Sequence, residues 1–143
     1  MYQENTTGNT RAIPDLGPKP VIVNIHRAAD INGNFRTALW TGKDLQVTLM
    51  NIPVGGDIGQ EQHEGLDQFI RVESGSGVAL MGLSPTDLRE QQQINENHAV
   101  IVPAGVWHNI VNTGRTPLKL YSIYAPPQHP YGTVHKTKAD AEH

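Results

Sequence analysis

Cysteine is absent from this chain of 143 residues. The chain therefore has no disulfide, no thiolate metal ligand, no cysteine-held iron–sulfur cluster and no cysteine nucleophile. A strong charge of one sign is also missing, because 11 basic and 14 acidic side chains leave a formal net charge of −3. Domains that bind nucleic acids are usually strongly basic, so we expect no nucleic-acid partner.

Long hydrophobic runs are missing too. The longest apolar stretch, residues 99–107, is interrupted by Pro103 and Gly105 and falls short of the ~18 residues that span a bilayer. The first residues lack the basic start and apolar centre of a signal peptide. We therefore expect a cytoplasmic protein without a membrane partner. The dinucleotide-binding, P-loop and serine-hydrolase motifs are also absent, which removes the usual sequence support for those activities.

Glycine and proline are well represented, with 14 and 10 residues, and indicate many turns between short elements. The length suits a single domain. The polar composition of both ends separates them from the middle of the chain. We divide the chain into an N-terminal arm (residues 1–20), a barrel domain (21–126) and a C-terminal segment with a polar tail (127–143).

The middle of the chain alternates apolar with other residues, which is the pattern of β-strands. Residues 21–25 and 99–102 are shorter strand-like runs, and only residues 85–93 resemble a helix, with a polar edge strand as the alternative. Many short strands predict an all-β antiparallel sandwich or barrel. The side chains expected to share a face are Leu45, Val47 and Leu49; Gln68, Ile70 and Val72; Val106, His108 and Ile110; and Leu118, Leu120 and Tyr124.

Four side chains with nitrogen or oxygen donors form a candidate metal site. Glu61 and His63 are two residues apart, so on a strand both point to the same side. Gln68 and His108 each share the apolar face of their own strand. Imidazole, carboxylate and amide ligands suit Mn, Fe, Ni or Zn. Taken singly, each of the four is more ordinary as a hydrogen-bonded core residue or a solvated one, so the prediction depends on their joint spacing.

Two further residues are candidates for chemistry at such a site. Tyr124 aligns with Leu120 and reaches the barrel interior, where core packing is the competing role. His135 lies in the C-terminal segment, in which prolines and Gly132 favour a path across a barrel mouth. There it is a candidate general base.

Two motifs carry a resemblance to the cupin superfamily. Residues 55–75 (GGDIGQEQHEGLDQFIRVESG) resemble the first cupin motif, G-x5-H-x-H-x(3,4)-E-x6-G. Residues 103–112 (PAGVWHNIVN) match the second, P-x-G-x2-H-x3-N, at all four defined positions, and Asn97 replaces its usual leading glycine. The chain departs from the first motif at Glu61, where the motif has histidine, and at Gln68, where it has glutamate.

The resemblance implies a cupin jelly-roll β-barrel, also called a double-stranded β-helix, with one divalent metal ion per chain. Its implied ligands are Glu61, His63, Gln68 and His108, and the implied metals are Mn, Ni, Fe or Zn. A homodimer is the usual assembly in the family. The narrower resemblance is to small single-domain bacterial cupins, some of which carry the label mannose-6-phosphate isomerase-like.

Three functions follow as hypotheses from this resemblance. The first is a metal-dependent enzyme acting on a small, oxygen-rich sugar, carboxylate or dicarbonyl substrate. It would use Lewis-acid isomerase or lyase chemistry, or dioxygenase chemistry if iron or nickel is bound. The second is a non-catalytic module that senses a small sugar or carboxylate. The third is a barrel that has lost its metal.

Overall fold

A computed structural model describes residues 13–142 of the chain. Most of the predicted N-terminal arm, residues 1–12, lies outside this range. Within it, nine strands and two short helices alternate with turns. Their bounds are α1 (Ile25–Ile31), β1 (Arg36–Thr41), β2 (Gln46–Ile52), β3 (Asp67–Ser74), β4 (Ser76–Gly82), β5 (Glu90–Asn95), β6 (Ala99–Val102), β7 (Trp107–Asn112), β8 (Leu118–Ala125), β9 (Val134–His135) and α2 (Lys138–Ala141).

The strands form two antiparallel sheets. One has six strands in the order β6-β3-β8-β2-β1-β9, and the other has three in the order β5-β4-β7. The main apolar core lies between them, because it combines Ile70 and Leu120 of the larger sheet with Ala79 and Ile110 of the smaller one. The predicted all-β jelly-roll architecture is confirmed.

The larger sheet is covered on its outer side as well. Helix α1 and the segment before it pack on β1 and β2, where Leu39 and Leu49 are fully buried. Val47 and Leu49 of β2 share one face, as predicted. The polar side chains on the opposite face, Gln46 and Thr48, are also fully buried. They point to the barrel side of the sheet, since they alternate with Val47 and Leu49, which belong to the outer cluster.

One local prediction was wrong, and the structure decides between two alternatives at a second place. Residues 21–24 are not a strand, and helix α1 begins at Ile25 after Asn24, whose side chain accepts a hydrogen bond from the Arg27 backbone N–H. This N-cap satisfies a donor that a helix start would otherwise leave unpaired. Residues 85–93 are not a helix, because Glu90–Asn95 pair with β4 as the edge strand β5. The alternative, a polar edge strand, is therefore the correct one.

The C-terminal segment lies across one end of the barrel and is held by two buried or half-buried side chains. Gln46 accepts hydrogen bonds from the backbone N–H groups of Gln128 and His129 at 3.1 and 2.9 Å, and its amide nitrogen donates to the carbonyl of His129 at 2.9 Å. Asp15 accepts from the backbone N–H of Gly132 at 2.9 Å. Strand β9 then pairs with β1.

In residues 13–142, neither helix has the length and apolar character needed to cross a bilayer.

Candidate functional site

Glu61 and His108 are positioned by a backbone bridge between the loop after β2 and strand β7. The N–H of each residue donates to the carbonyl of the other, at 3.0 and 2.9 Å. His63 is held on the other side of the loop, where its carbonyl accepts from the Gly105 N–H at 2.8 Å. Gly105 has a φ of +87°, which favours glycine at this turn. These backbone contacts bring the three side chains to one point inside the barrel.

The donor atoms of Glu61, His63 and His108 all lie within 4.8 Å of one another. Oε1 of Glu61 is 3.4 Å from Nε2 of His108 and 3.6 Å from Nε2 of His63. Both Nε2 atoms are buried and make no hydrogen bond. Nδ1 of His108 lies 3.3 Å from the Val106 carbonyl, which assigns the ring proton to Nδ1. A neutral ring with its proton on Nδ1 has its lone pair on Nε2, which is the form in which imidazole binds a metal.

Gln68 extends from β3 into the same interior. Its side chain is buried, and its amide nitrogen donates to Oγ of Ser122 at 3.2 Å. Its Oε1 atom is buried without a hydrogen-bond partner. An unpartnered buried oxygen is rare and costly. The Gln68 oxygen and the Nε2 atoms of His63 and His108 thus have no hydrogen-bond partner among the described residues, and with the Glu61 carboxylate they fit a divalent cation.

The charge of Glu61 suits this arrangement. Burial alone would raise the pKa of Glu61, but the facing His108 and His63 rings lower it to about 2. The carboxylate therefore stays ionised at neutral pH. Carboxylate together with imidazole is a donor set suited to first-row divalent metals.

Tyr124 and His129 stand next to these residues. The Tyr124 ring packs edge-on against His63 and against His129, with centroids 5.8 and 5.3 Å apart. Burial raises the pKa of Tyr124 to about 12, so its hydroxyl keeps its proton at neutral pH. Burial lowers the pKa of His129 to about 4, and the charge of Arg36 adds to this effect. His129 is therefore neutral, and its buried Nε2 has no hydrogen-bond partner.

A cavity of about 570 Å³ opens over the site and is bounded on one side by Glu61. The predicted candidate His135 lies on its wall, where burial lowers its pKa, and the charge of Arg36 acts in the same direction. The remaining wall comes from the loop after β2, the C-terminal segment, α2 and one residue of β1: Ile58, Gly59, Gln60, Gln128, His129, Pro130, Thr133, Lys138, Ala141, Glu142 and Arg36.

Sequence reasoning missed two residues of this cavity. It gave no role to His129 or to Arg36, which both line the cavity. The available signal for Arg36 was a charged side chain in the strand-like run RTALW. Polar residues on a strand are usually solvated, so the pattern alone favoured an exposed position. Only the pairing of β1 with β9 encloses Arg36.

The cupin-domain family model matches residues 48–124, which contain all four predicted ligands. The chain belongs to the cupin family.

Similar proteins agree with this membership. The cupin is 60% identical to the uncharacterized protein YrkC of Bacillus subtilis (strain 168), over 90% of this chain and 69% of that protein. The crystal structure of BH2720 from Bacillus halodurans is 57% identical, with a TM-score of 0.90 over 91% of this cupin and 98% of that chain. A Klebsiella pneumoniae protein with a double-stranded β-helix domain shares the fold at 20% identity, with a TM-score of 0.59 over 74% and 88% of the two chains.

Proposed function

We propose that this cupin is a metal-dependent enzyme that acts on a small, oxygen-rich substrate. The observation that carries the proposal is the convergence of Glu61, His63 and His108 within 4.8 Å, with Glu61 also on the wall of the cavity. Glu61, His63, His108 and Gln68 would hold one divalent ion. The ion would supply Lewis-acid polarisation of a substrate oxygen, or oxygen chemistry if it is iron or nickel. The homodimer, the cytoplasmic location and the three-part division of the chain stay predictions.

The cupin's own residues would bind the substrate and handle protons. His129 is neutral and has an unpartnered Nε2, which can form a hydrogen bond with a bound molecule. Tyr124 retains its hydroxyl proton and acts as a donor rather than a base. The C-terminal segment, which Gln46 holds, forms part of the cavity wall.

Metal analysis of tag-free protein tests the metal site. We expect close to one equivalent of a divalent metal in the wild type and a large loss in His63→Ala. His98→Ala is the matched control, because His98 is bonded to Asn95 at an exposed turn. Less than a tenth of an equivalent in the wild type, with no change in His63→Ala, would favour a barrel that has lost its metal.

Assays on the metal-loaded protein test catalysis. Oxygen uptake and sugar-phosphate isomerisation are measured in the wild type and in His63→Ala. Turnover that depends on His63 would support the enzyme. Saturable binding of a small sugar or carboxylate without turnover would instead support the sensor.

A further inference from the structure

Arg36 is a buried cation whose hydrogen bonds are incomplete. Its residue is only 4% exposed. Nη1 lies 3.1 Å from Nδ1 of His135, and Nη2 lies 3.9 Å from the sulfur of Met50. Nε is buried and has no hydrogen-bond partner. Arginine is almost never fully buried unless it is paired, so this environment calls for an explanation.

No carboxylate within residues 13–142 forms an ion pair with Arg36. In that range no Asp or Glu oxygen lies within 4.0 Å of the Arg36 guanidinium. The histidine beside it does not neutralise it either. Guanidinium is always a donor, so Nδ1 of His135 must accept and the ring is neutral. The Phe35 ring, whose centroid lies 5.3 Å from the guanidinium carbon of Arg36, offsets part of this positive charge. No anionic side chain of the described residues pairs with it, so its burial still carries a desolvation cost.

The other cation of the cavity is already paired. Lys138 lies on the cavity wall, and its ammonium group bonds to the carboxylate of Asp57. Arg36 and the Glu61 carboxylate line the same cavity. A small molecule in this cavity can thus reach Arg36 with one end and Glu61, the carboxylate of the candidate metal cluster, with the other.

We propose that Arg36 binds the carboxylate of a small monoanionic substrate whose hydroxyl or carbonyl oxygen faces the metal cluster. The part concerning the metal rests on the proposed function. A carboxylate fits better than a phosphate dianion, because Glu61 and Glu142 also line the cavity and would repel a second negative charge. The planar fork of guanidinium also matches a carboxylate in a two-point hydrogen bond. Such a bond would use donors, Nε among them, that the described residues leave unpaired.

A side-chain NMR titration of metal-free full-length protein tests the anion site. The Arg36 Nε–H resonance is followed during addition of lactate, its neutral isostere lactamide, and inorganic phosphate. The resonance is assigned through bonds within the Arg36 side chain, so no variant has to fold. We expect a saturable shift with lactate and at least about ten-fold weaker binding of lactamide, because a hydrogen bond to a charged group contributes more than a neutral one.

A pair of variants then tests Arg36 itself. Arg36→Lys keeps the charge but removes the fork, and we expect it to weaken lactate binding about ten- to hundred-fold. Arg71→Lys is the control, because Arg71 pairs with Glu73 and Asn97 and is not part of the cavity wall. Equal binding of lactate and lactamide, tighter binding of phosphate, or an unchanged Arg36→Lys would each overturn the proposal.

Repeating the titration with one equivalent of Zn²⁺ separates the two proposals. Tighter lactate binding with zinc supports both the metal site and the carboxylate site at Arg36. Lactate binding through Arg36 in a protein that does not hold zinc leaves the anion site standing and removes the metal-dependent function. Zinc binding without any response of Arg36 to lactate leaves the metal site standing and overturns the carboxylate site.

Discussion

Gln46 is the residue at which a single substitution should release the C-terminal segment from the barrel. Its fully buried amide satisfies two backbone N–H groups, of Gln128 and His129, and the carbonyl of His129. It also donates to Oγ1 of Thr41 at 2.9 Å. Gln46→Leu keeps the side-chain volume but removes all of these bonds.

The size of the effect follows from the number of groups left unpaired. Three backbone groups each lose a partner, and an unsatisfied buried group costs about 1–3 kcal/mol. The segment can lift toward water and recover part of this cost, so we expect a loss of about 2–4 kcal/mol in the free energy of unfolding. For a domain of this size that loss corresponds to a Tm lower by about 6–12 °C. Gln46→Glu should fall between Leu and wild type, since a carboxylate still accepts from both N–H groups.

Urea denaturation and hydrogen exchange measure the two parts of this prediction. Denaturation gives the loss in free energy, and exchange should show faster exchange of the His129 N–H while the β3 and β8 amides remain protected. Gln92→Leu is the matched control on the exposed edge strand β5. A loss below about 0.5 kcal/mol, which is the scatter of ordinary surface substitutions, would refute the idea that Gln46 holds the segment.

Three further outcomes follow from the structure. If the unpartnered Gln68 oxygen is a metal ligand, Gln68→Leu should lower zinc affinity about ten-fold in a competition titration. An unchanged affinity would limit the ligands to Glu61, His63 and His108. Burial lowers the pKa of His129 from 6.5 to about 4, so the unfolded state binds more protons than the folded state between these pH values. The free energy of unfolding should therefore fall as the pH drops from 6.5 towards 4, by at most about 1.4 kcal/mol per pH unit. Denaturation at several pH values should show a smaller fall in His129→Gln, and an equal fall would assign the effect to another group. Asp15→Asn should lower the free energy of unfolding by about 1–2 kcal/mol in urea denaturation. The Asp15 carboxylate accepts hydrogen bonds from Thr41 and from the Gly132 N–H, and an amide has only one oxygen that can accept. A free energy of unfolding equal to that of the wild type would show that these bonds contribute nothing.

Much of the fold could be predicted from the sequence, because strand faces and turns depend on residues that are close together in the chain. Strands alternate with a period of two residues, so the faces of β3, β7 and β8 follow from neighbours in the chain. Turn residues are equally local. Gly75 has a φ of +93°, and Asn97, which replaces the glycine of the second motif, has a φ of +75°. Asparagine tolerates this left-handed conformation better than most residues, so the departure from the motif leaves the turn intact.

Helix α1 and strand β5 are places where the local sequence pattern did not predict the secondary structure. Residues 21–25 contain the β-rich run VIVNI, yet the helix begins at Ile25 because Asn24 caps it and Ala28 and Ala29 bury against the outer sheet face. Residues 90–93 are polar and suit a helix surface, yet pairing with β4 makes them an edge strand. In both cases a tertiary contact outweighed a weak local preference.

The sequence by itself determined the β-barrel and nominated the residues that converge near His63, because period-two alternation, turn conformation and motif spacing are properties of residues close together in the chain. Only the tertiary structure enclosed Arg36 and placed His129 beside Tyr124. Arg36 meets His135 at a separation of 99 residues, and Gln46 holds His129 at a separation of 83. No local pattern specifies such contacts, since they exist only after distant segments have packed, and they decide which charges and lone pairs line the cavity.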